Sequence, residues 1–390
     1  MRKKDAANRP LWKLVMTGVA ITFLVFAFRY CTAPNVLAKQ TSHVDAPTDP
    51  RDIGATEQNT YVGNSSCEKC HSALTSSQSG TSMAKSAFGP ADSALAIDYS
   101  RMIYREGDYA TTILPQKGGL LFSVSNGQKS VSAPIRWIFG HGVMGQTFVL
   151  QYEGKYYEGR ASYYSKLGDL DLTIGHSKRI PSSLLTAMGR PLEQVEVDKC
   201  FSCHTSEDVF DGKLNVEKAH PGITCENCHG PGSIHVTTME ASHGQPVKDR
   251  TLFDPGTLAP ADMNDFCGSC HRTSKDVLDT RIRDIRNIRF QPYRLENSRC
   301  YDPSDARITC VACHNPHREL ETDAACYDAK CFACHAGSSK RVPHATARAC
   351  PKATRNCVSC HMPKLELPGS HYAFTDHYIR VSHPDQPYPD

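Results

Sequence analysis

Short α-helices and connecting loops, interrupted by a small antiparallel β module, are the fold class that this sequence of 390 residues predicts. Three observations lead to it. The pattern C-x-x-C-H occurs seven times, once at Cys67–His71 and six times between Cys200 and His361. Between those last two residues Leu, Ile, Val and Phe supply only 26 of 162 positions, too few for the chain alone to offset the entropy of folding. Residues 88–198, by contrast, contain no Cys, 28 such apolar residues among 111, eight Tyr and Trp137.

The repeated motif has the form of a covalent haem attachment site. Two thiols form thioethers with the porphyrin edge, and the adjoining His ligates the iron. The thiol pairs are Cys67 and Cys70, Cys200 and Cys203, Cys225 and Cys228, Cys267 and Cys270, Cys310 and Cys313, Cys331 and Cys334, and Cys357 and Cys360. The proximal histidines are His71, His204, His229, His271, His314, His335 and His361. Zinc explains the pattern less well. A structural zinc site uses four ligands, commonly two C-x-x-C pairs, so seven motifs leave one over and the invariable His has no task. The expectation is seven covalent haems c, which would replace the missing apolar core as a set of stacked haems with helices and loops around them.

Taken in order, residues 1–38 open with Arg2, Lys3, Lys4, Arg9 and Lys13, followed by an apolar run from Leu14 to Phe28. This is a signal peptide or an N-terminal membrane anchor, and either places the remainder outside the cytoplasmic membrane. Residues 39–60 read as a flexible tether and 61–87 as a first haem segment. In the β-rich insert, 88–198, Asn126-Gly127 and Glu153-Gly154 each lie between strand-like runs and signal hairpins. Ser182 and Ser183 would cap a short helix returning the chain to the motifs, and the module is expected to shield the first haem. Residues 199–390 form a hexahaem domain.

Distal iron ligands must come from elsewhere. The candidates are Met83, His176, His220, His235, His317, His344, His371 and His377. His317 lies too near His314 to serve the same iron, so it would reach a neighbouring one. Cys300, Cys326 and Cys350 fall outside the motifs, and Cys326 with Cys350 would make a disulfide. The run Arg281, Arg283, Arg286, Arg289 and Arg294 suits haem propionates, which guanidinium binds in bidentate fashion. The formal net charge of +3 therefore misleads, because two propionates per haem turn the balance negative, and no nucleic acid is expected as partner.

Four stretches carry a family resemblance: Cys225–His229 continuing Gly-Pro-Gly-x-x-His235, Cys310–His314 continuing Asn-Pro-His317, Cys360-His361-Met-Pro-Lys364, and Thr375-Asp-His377-Tyr-Ile-Arg380. In these the chain resembles exported bacterial multihaem cytochromes c related to the tetrahaem cytochrome of hydroxylamine oxidation, and proteins with doubled C-x-x-C-H motifs. The resemblance covers about 61–85 and 199–383. It implies that His235, His317 and His377 are the better distal ligands and that haems stack in alternating parallel and perpendicular pairs. The C-x-x-C-K site of the nitrite reductases in this wider group is missing here. An electron relay in the periplasm or at the outer face of the membrane is thus expected, with redox partner proteins or quinol-oxidising membrane complexes. The alternatives are an oxidoreductase acting on a small nitrogen or sulfur compound at one five-coordinate haem, and a subunit of a larger electron-conducting assembly.

Overall fold

Cysteines three residues apart with a histidine one further on fall on neighbouring faces of one helical turn, and the cysteines of all seven motifs lie in helices, with His314 extended just past the end of its own. In a computed structural model describing residues 54–89, 92, 97–335, 350–383 and 386–389, the motif helices are α1 (Asn64–Ser79), α2 (Gln194–His204), α3 (Cys225–His229), α4 (Pro260–His271), α5 (Cys310–Cys313), α6 (Ala324–His335) and α7 (Cys357–His361). Residues 1–53, where a targeting segment and most of a tether are expected, and His344 lie outside the described residues. No helix among the described residues is long and apolar enough to cross a membrane.

The insert is larger than a small module. Ten strands form one antiparallel sheet: β1 (Ala87–Phe88), β2 (Ile103–Glu106), β3 (Tyr109–Gln116), β4 (Gly119–Ser125), β5 (Ser130–Phe139), β6 (Gly145–Tyr152), β7 (Lys155–Gly159), β8 (Ala161–Tyr164), β9 (Asp169–Leu172) and β10 (Gly189–Pro191). The order is β10-β7-β6-β5-β4-β3-β2, with β1 on β5 and β8 joining β6 to β9. Strand β9 packs back against β2, so the sheet curls almost into a barrel. The extent of the sheet includes β2 and β3, where Arg105, Glu106, Thr111 and Thr112 interrupt the apolar residues and leave little apolar signal.

Both expected hairpins form. Asn126 Oδ1 accepts from the Gln128 and Lys129 amides and Gly127 adopts φ 82°, closing β4 onto β5. Glu153 and Gly154, at φ 49° and 76°, make the two-residue turn between β6 and β7. Ser183 caps Leu184–Met188 and exchanges hydrogen bonds with Thr186, as in a capping box. Phe122, Phe148, Leu150, Ile135, Ile138 and Met188 fill the interior, each at most 2 % exposed.

One irregularity positions the sheet against the motifs. Between Ile135 and Trp137 the β5–β6 register shifts by a bulge. Ile135 and Ile138 both remain in the interior, so Trp137 and Phe139 turn outward. There they pack edge-on against Phe201 of the second motif, ring centres 5.2 and 5.3 Å away. The module therefore covers the second motif, because the bulge aims its outer aromatics there. The region after 199 also holds more strand than expected. Two-stranded ladders join Thr205–Ser206 to His220–Pro221, Val209–Phe210 to Lys213–Leu214, and Lys364–Leu367 to Tyr372–Thr375.

Candidate multihaem site

The motif thiols come together in pairs. Cys67 hydrogen-bonds Cys225, Cys267 hydrogen-bonds Cys310, and Cys331 hydrogen-bonds Cys357. In the first two pairs the shared proton pushes Cys67 and Cys310 up and draws Cys225 and Cys267 down. Cys203 and Cys270 meet through a reciprocal contact, each sulfur 3.9 Å from the carbonyl preceding the other, at Ser269 and Ser202.

These contacts, with two further links, join all seven motifs. Phe253, whose carbonyl faces His229 Nδ1 at 3.0 Å, packs 5.7 Å from Phe266 of α4. Tyr327 of α6 lies 5.7 Å from the His314 ring, its hydroxyl 3.5 Å from Nδ1. The row runs first, third, fourth, fifth, sixth, seventh, and the second motif joins it beside the fourth.

Three motif histidines are oriented as a metal-ligating imidazole would be. Nδ1 faces a backbone carbonyl in His204 (Ser86, 2.9 Å), His229 (Phe253, 3.0 Å) and His361 (Arg380, 2.9 Å). An Nδ1–H donated there fixes the tautomer and leaves the Nε2 lone pair for a metal. The Gln291 amide lies beside His271. Burial pulls His204, His271 and His314 below the ordinary imidazole range, which keeps them in the neutral form that binds metal.

Two further histidines face motif histidines. The His317 ring centre stands 6.1 Å from that of His229, the planes 8° apart, and His377 stands 6.2 Å from His314. Two imidazoles on opposite sides of one metal, each bonded at about 2 Å, have ring centres roughly 6 Å apart. Burial lowers His317, and it lowers His377 to about 4. His377 Nδ1 lies 3.1 Å from the Thr375 carbonyl, again leaving Nε2 free.

The other distal candidates have different neighbours. His176 Nε2 lies 3.1 Å from Glu158, and His371 Nε2 lies 2.7 Å from Asp171, both carboxylates of the β sheet. His220 faces the adjoining Pro221 carbonyl through Nδ1, and His235 faces Asp249 at 2.5 Å through Nδ1. Met83 lies in the turn after α1, where its carbonyl accepts from the Ile223 amide.

Expectations for the remaining groups change. Cys326 and Cys350 are both free and exposed, as is Cys300, so no disulfide forms among them. Arg294 is held by protein, since a completely buried guanidinium needs a fixed counter-charge. Its Nε and Nη2 donate to both Asp376 oxygens at 2.9 and 3.0 Å, and Nη1 donates to the Pro389 carbonyl. Tyr388 and Tyr378 flank its plane at 4.5 and 5.2 Å. Arg286 pairs with Asp284. The Arg294–Asp376 anchor immediately precedes His377, and its only trace in the sequence is an acid adjoining a candidate ligand.

The residues present fit haem c: seven pairs of reduced motif thiols, histidines whose Nδ1 faces a carbonyl in three motifs, and two facing imidazole pairs. A cavity of about 660 Å³, lined by His229, Pro231, Asp249, Arg250 and Phe253 among others, adjoins the third motif. Comparison with known proteins agrees. Residues 177–230 match the family of cytochrome c554 and c-prime. The multiheme cytochrome MtrA of Shewanella baltica (strain OS185) is 27 % identical over 187 residues, covering 37 % of this chain and 54 % of that protein. The chain thus spans about half the length of that curated relative. The outer cell wall cytochrome OcwA superposes with a TM-score of 0.49 at 15 % identity, covering 82 % of this chain and 79 % of that one. The family match and the MtrA relative, with the motifs, support a multihaem cytochrome of the c type.

Proposed function

We propose that this multihaem c-type cytochrome carries seven haems and relays electrons outside the cytoplasmic membrane, between redox partner proteins. The observation that supports it best is the contact of motif thiols from neighbour to neighbour. Attachment points that touch hold the groups attached to them close enough for rapid electron exchange. In this reading the porphyrins supply the redox chemistry, and the chain supplies position, ligation and exclusion of water. The fourteen thiols fix each haem edge, and the carbonyls of Ser86, Phe253 and Arg380 hold three proximal imidazoles in one tautomer. His317 with His229, and His377 with His314, would supply the imidazole pairs that hold two of the irons. Trp137, Phe139 and Phe201 keep water from the second motif. The pairing of His176 with Glu158 and of His371 with Asp171 makes them parts of the protein scaffold.

A pyridine haemochrome assay against protein mass, with electron paramagnetic resonance of the oxidised protein, tests this. Seven haems per chain with low-spin ferric signals are expected. Fewer than seven means a motif without haem. A high-spin signal altered by nitrite or hydroxylamine would replace the relay by an enzyme of small nitrogen compounds.

A further inference from the structure

The seven motif helices are of two kinds. Four begin well before their first cysteine: α1, α2, α4 and α6. Three begin at it: α3, α5 and α7. A helix that starts at the cysteine leaves that residue's N–H without an intrahelical acceptor. In all three cases a long helix of another motif supplies one, always from the residue three places before its own first cysteine. Asn64 Oδ1 accepts from Cys225 N at 3.2 Å, Asn264 Oδ1 from Cys310 N at 3.3 Å, and Asp328 Oδ1 from Cys357 N at 2.9 Å. The partners joined in this way are the same three whose first thiols touch.

The clasps are reinforced locally. Asn264 Oδ1 also lies 3.2 Å from the Cys310 sulfur, while its amide donates to the Tyr301 hydroxyl. The second oxygen of Asp328 accepts from Asn356 N at 2.7 Å. Asn264 and Asp328 are 1 % and 6 % exposed, so neither is a surface polar group that happened to find a partner. The fourth long helix, α2, carries Val197 at the corresponding place. Val197 is buried against the β sheet, where an apolar side chain takes the place of the polar clasp.

We infer that the residue three before the cysteine is a positioning residue that defines three haem pairs, first with third, fourth with fifth and sixth with seventh, and that its charge sets their relative potentials. The inference rests on the haem reading above and deepens it. Two of the clasps are neutral amides and one is a carboxylate. A carboxylate beside two attachment sites favours the more positive, ferric state of both irons. The pair held by Asp328 therefore has lower potentials than a neutral clasp would give it, and the pair held by Asn264 has higher ones than a carboxylate would give.

Exchanging the charges tests this on the haem-loaded full chain. Asn and Asp both keep one acceptor oxygen for the cysteine N–H, so Asp328→Asn and Asn264→Asp retain that bond, and Asp328→Asn gives up only the second bond, to Asn356 N. Spectroelectrochemical titration should show two of the haem midpoints rising in Asp328→Asn and a different two falling in Asn264→Asp, with haem content unchanged in both. Asp328→Ala, which removes the acceptor as well, should raise the same two and also lower the unfolding temperature below that of Asp328→Asn. The inference is overturned if Asp328→Asn moves no midpoint, only one, or all alike, or if Asp328→Ala is as stable as Asp328→Asn. Should the alanine variant fail to fold, the charge-swapped pair still decides. Wild-type protein without covalent haem would overturn the functional reading along with the pairs, whereas loaded protein with unselective shifts overturns the pairs alone.

Discussion

His317 and His377 each stand about one bis-imidazole span from a motif histidine of a different segment. His317→Ala and His377→Ala should each convert one low-spin ferric signal to high spin in electron paramagnetic resonance, and the double variant two. His176→Ala should convert none, because its Nε2 faces Glu158. The Arg294–Asp376 pair holds His377 in place. Removing the guanidinium leaves a carboxylate at 0 % exposure, and breaking a buried pair costs about 3–5 kcal/mol. Arg380 still pairs with Asp376 at 2.6 Å, so Arg294→Met should lower stability by somewhat less than that in denaturant unfolding and loosen His377. Burial opposes the ionisation of Asp376, but Arg294, the Tyr378 amide and Arg380 outweigh it and hold its carboxyl below the usual range. Its contribution is thus full above the ordinary carboxylate range and lost as pH falls through the depressed value. Attachment cysteines and proximal histidines could be read from the sequence because covalent chemistry dictates their spacing. The Arg294 partner could not, since 82 residues separate it from Asp376 and a basic run looks the same whether it meets a propionate or a carboxylate.

Among the elements, the turn before α3 is the most constrained. Gly222 has φ 78°, and a Cβ there would lie 1.8 Å from the Ala84 carbonyl oxygen. Gly222→Ala should displace the segment after α1 from the start of the third motif. The expected outcome is a loss of stability of a few kcal/mol, of the order seen for backbone strain, measured by thermal unfolding of the loaded protein. The hairpins of the sheet were legible because a tight turn needs residues that tolerate positive φ, as Gly127 does in one loop and Glu153 with Gly154 in the other. The bulge in β5 was not. Ile135-Arg-Trp-Ile-Phe139 reads as an apolar run, and nothing local says that Trp137 and Phe139 must leave the interior for Phe201. The extent of the sheet was equally hidden, since β2 and β3 take their partners from neighbouring strands rather than from an apolar pattern of their own.

For the whole molecule, the sheet has its own buried core, and the motif region has few apolar residues to bury. Protein produced without haem attachment should keep β-type far-ultraviolet circular dichroism from residues 103–191 and lose the helical signal of the motifs. Native-like helical content in the colourless protein would contradict the idea that porphyrins complete the core. The second motif meets the row at its fourth member, away from either end, so the layout is a fork with three tips. For a relay of the kind proposed, traffic arriving at one tip has two exits. Blocking a single tip would then divert the current and leave it flowing.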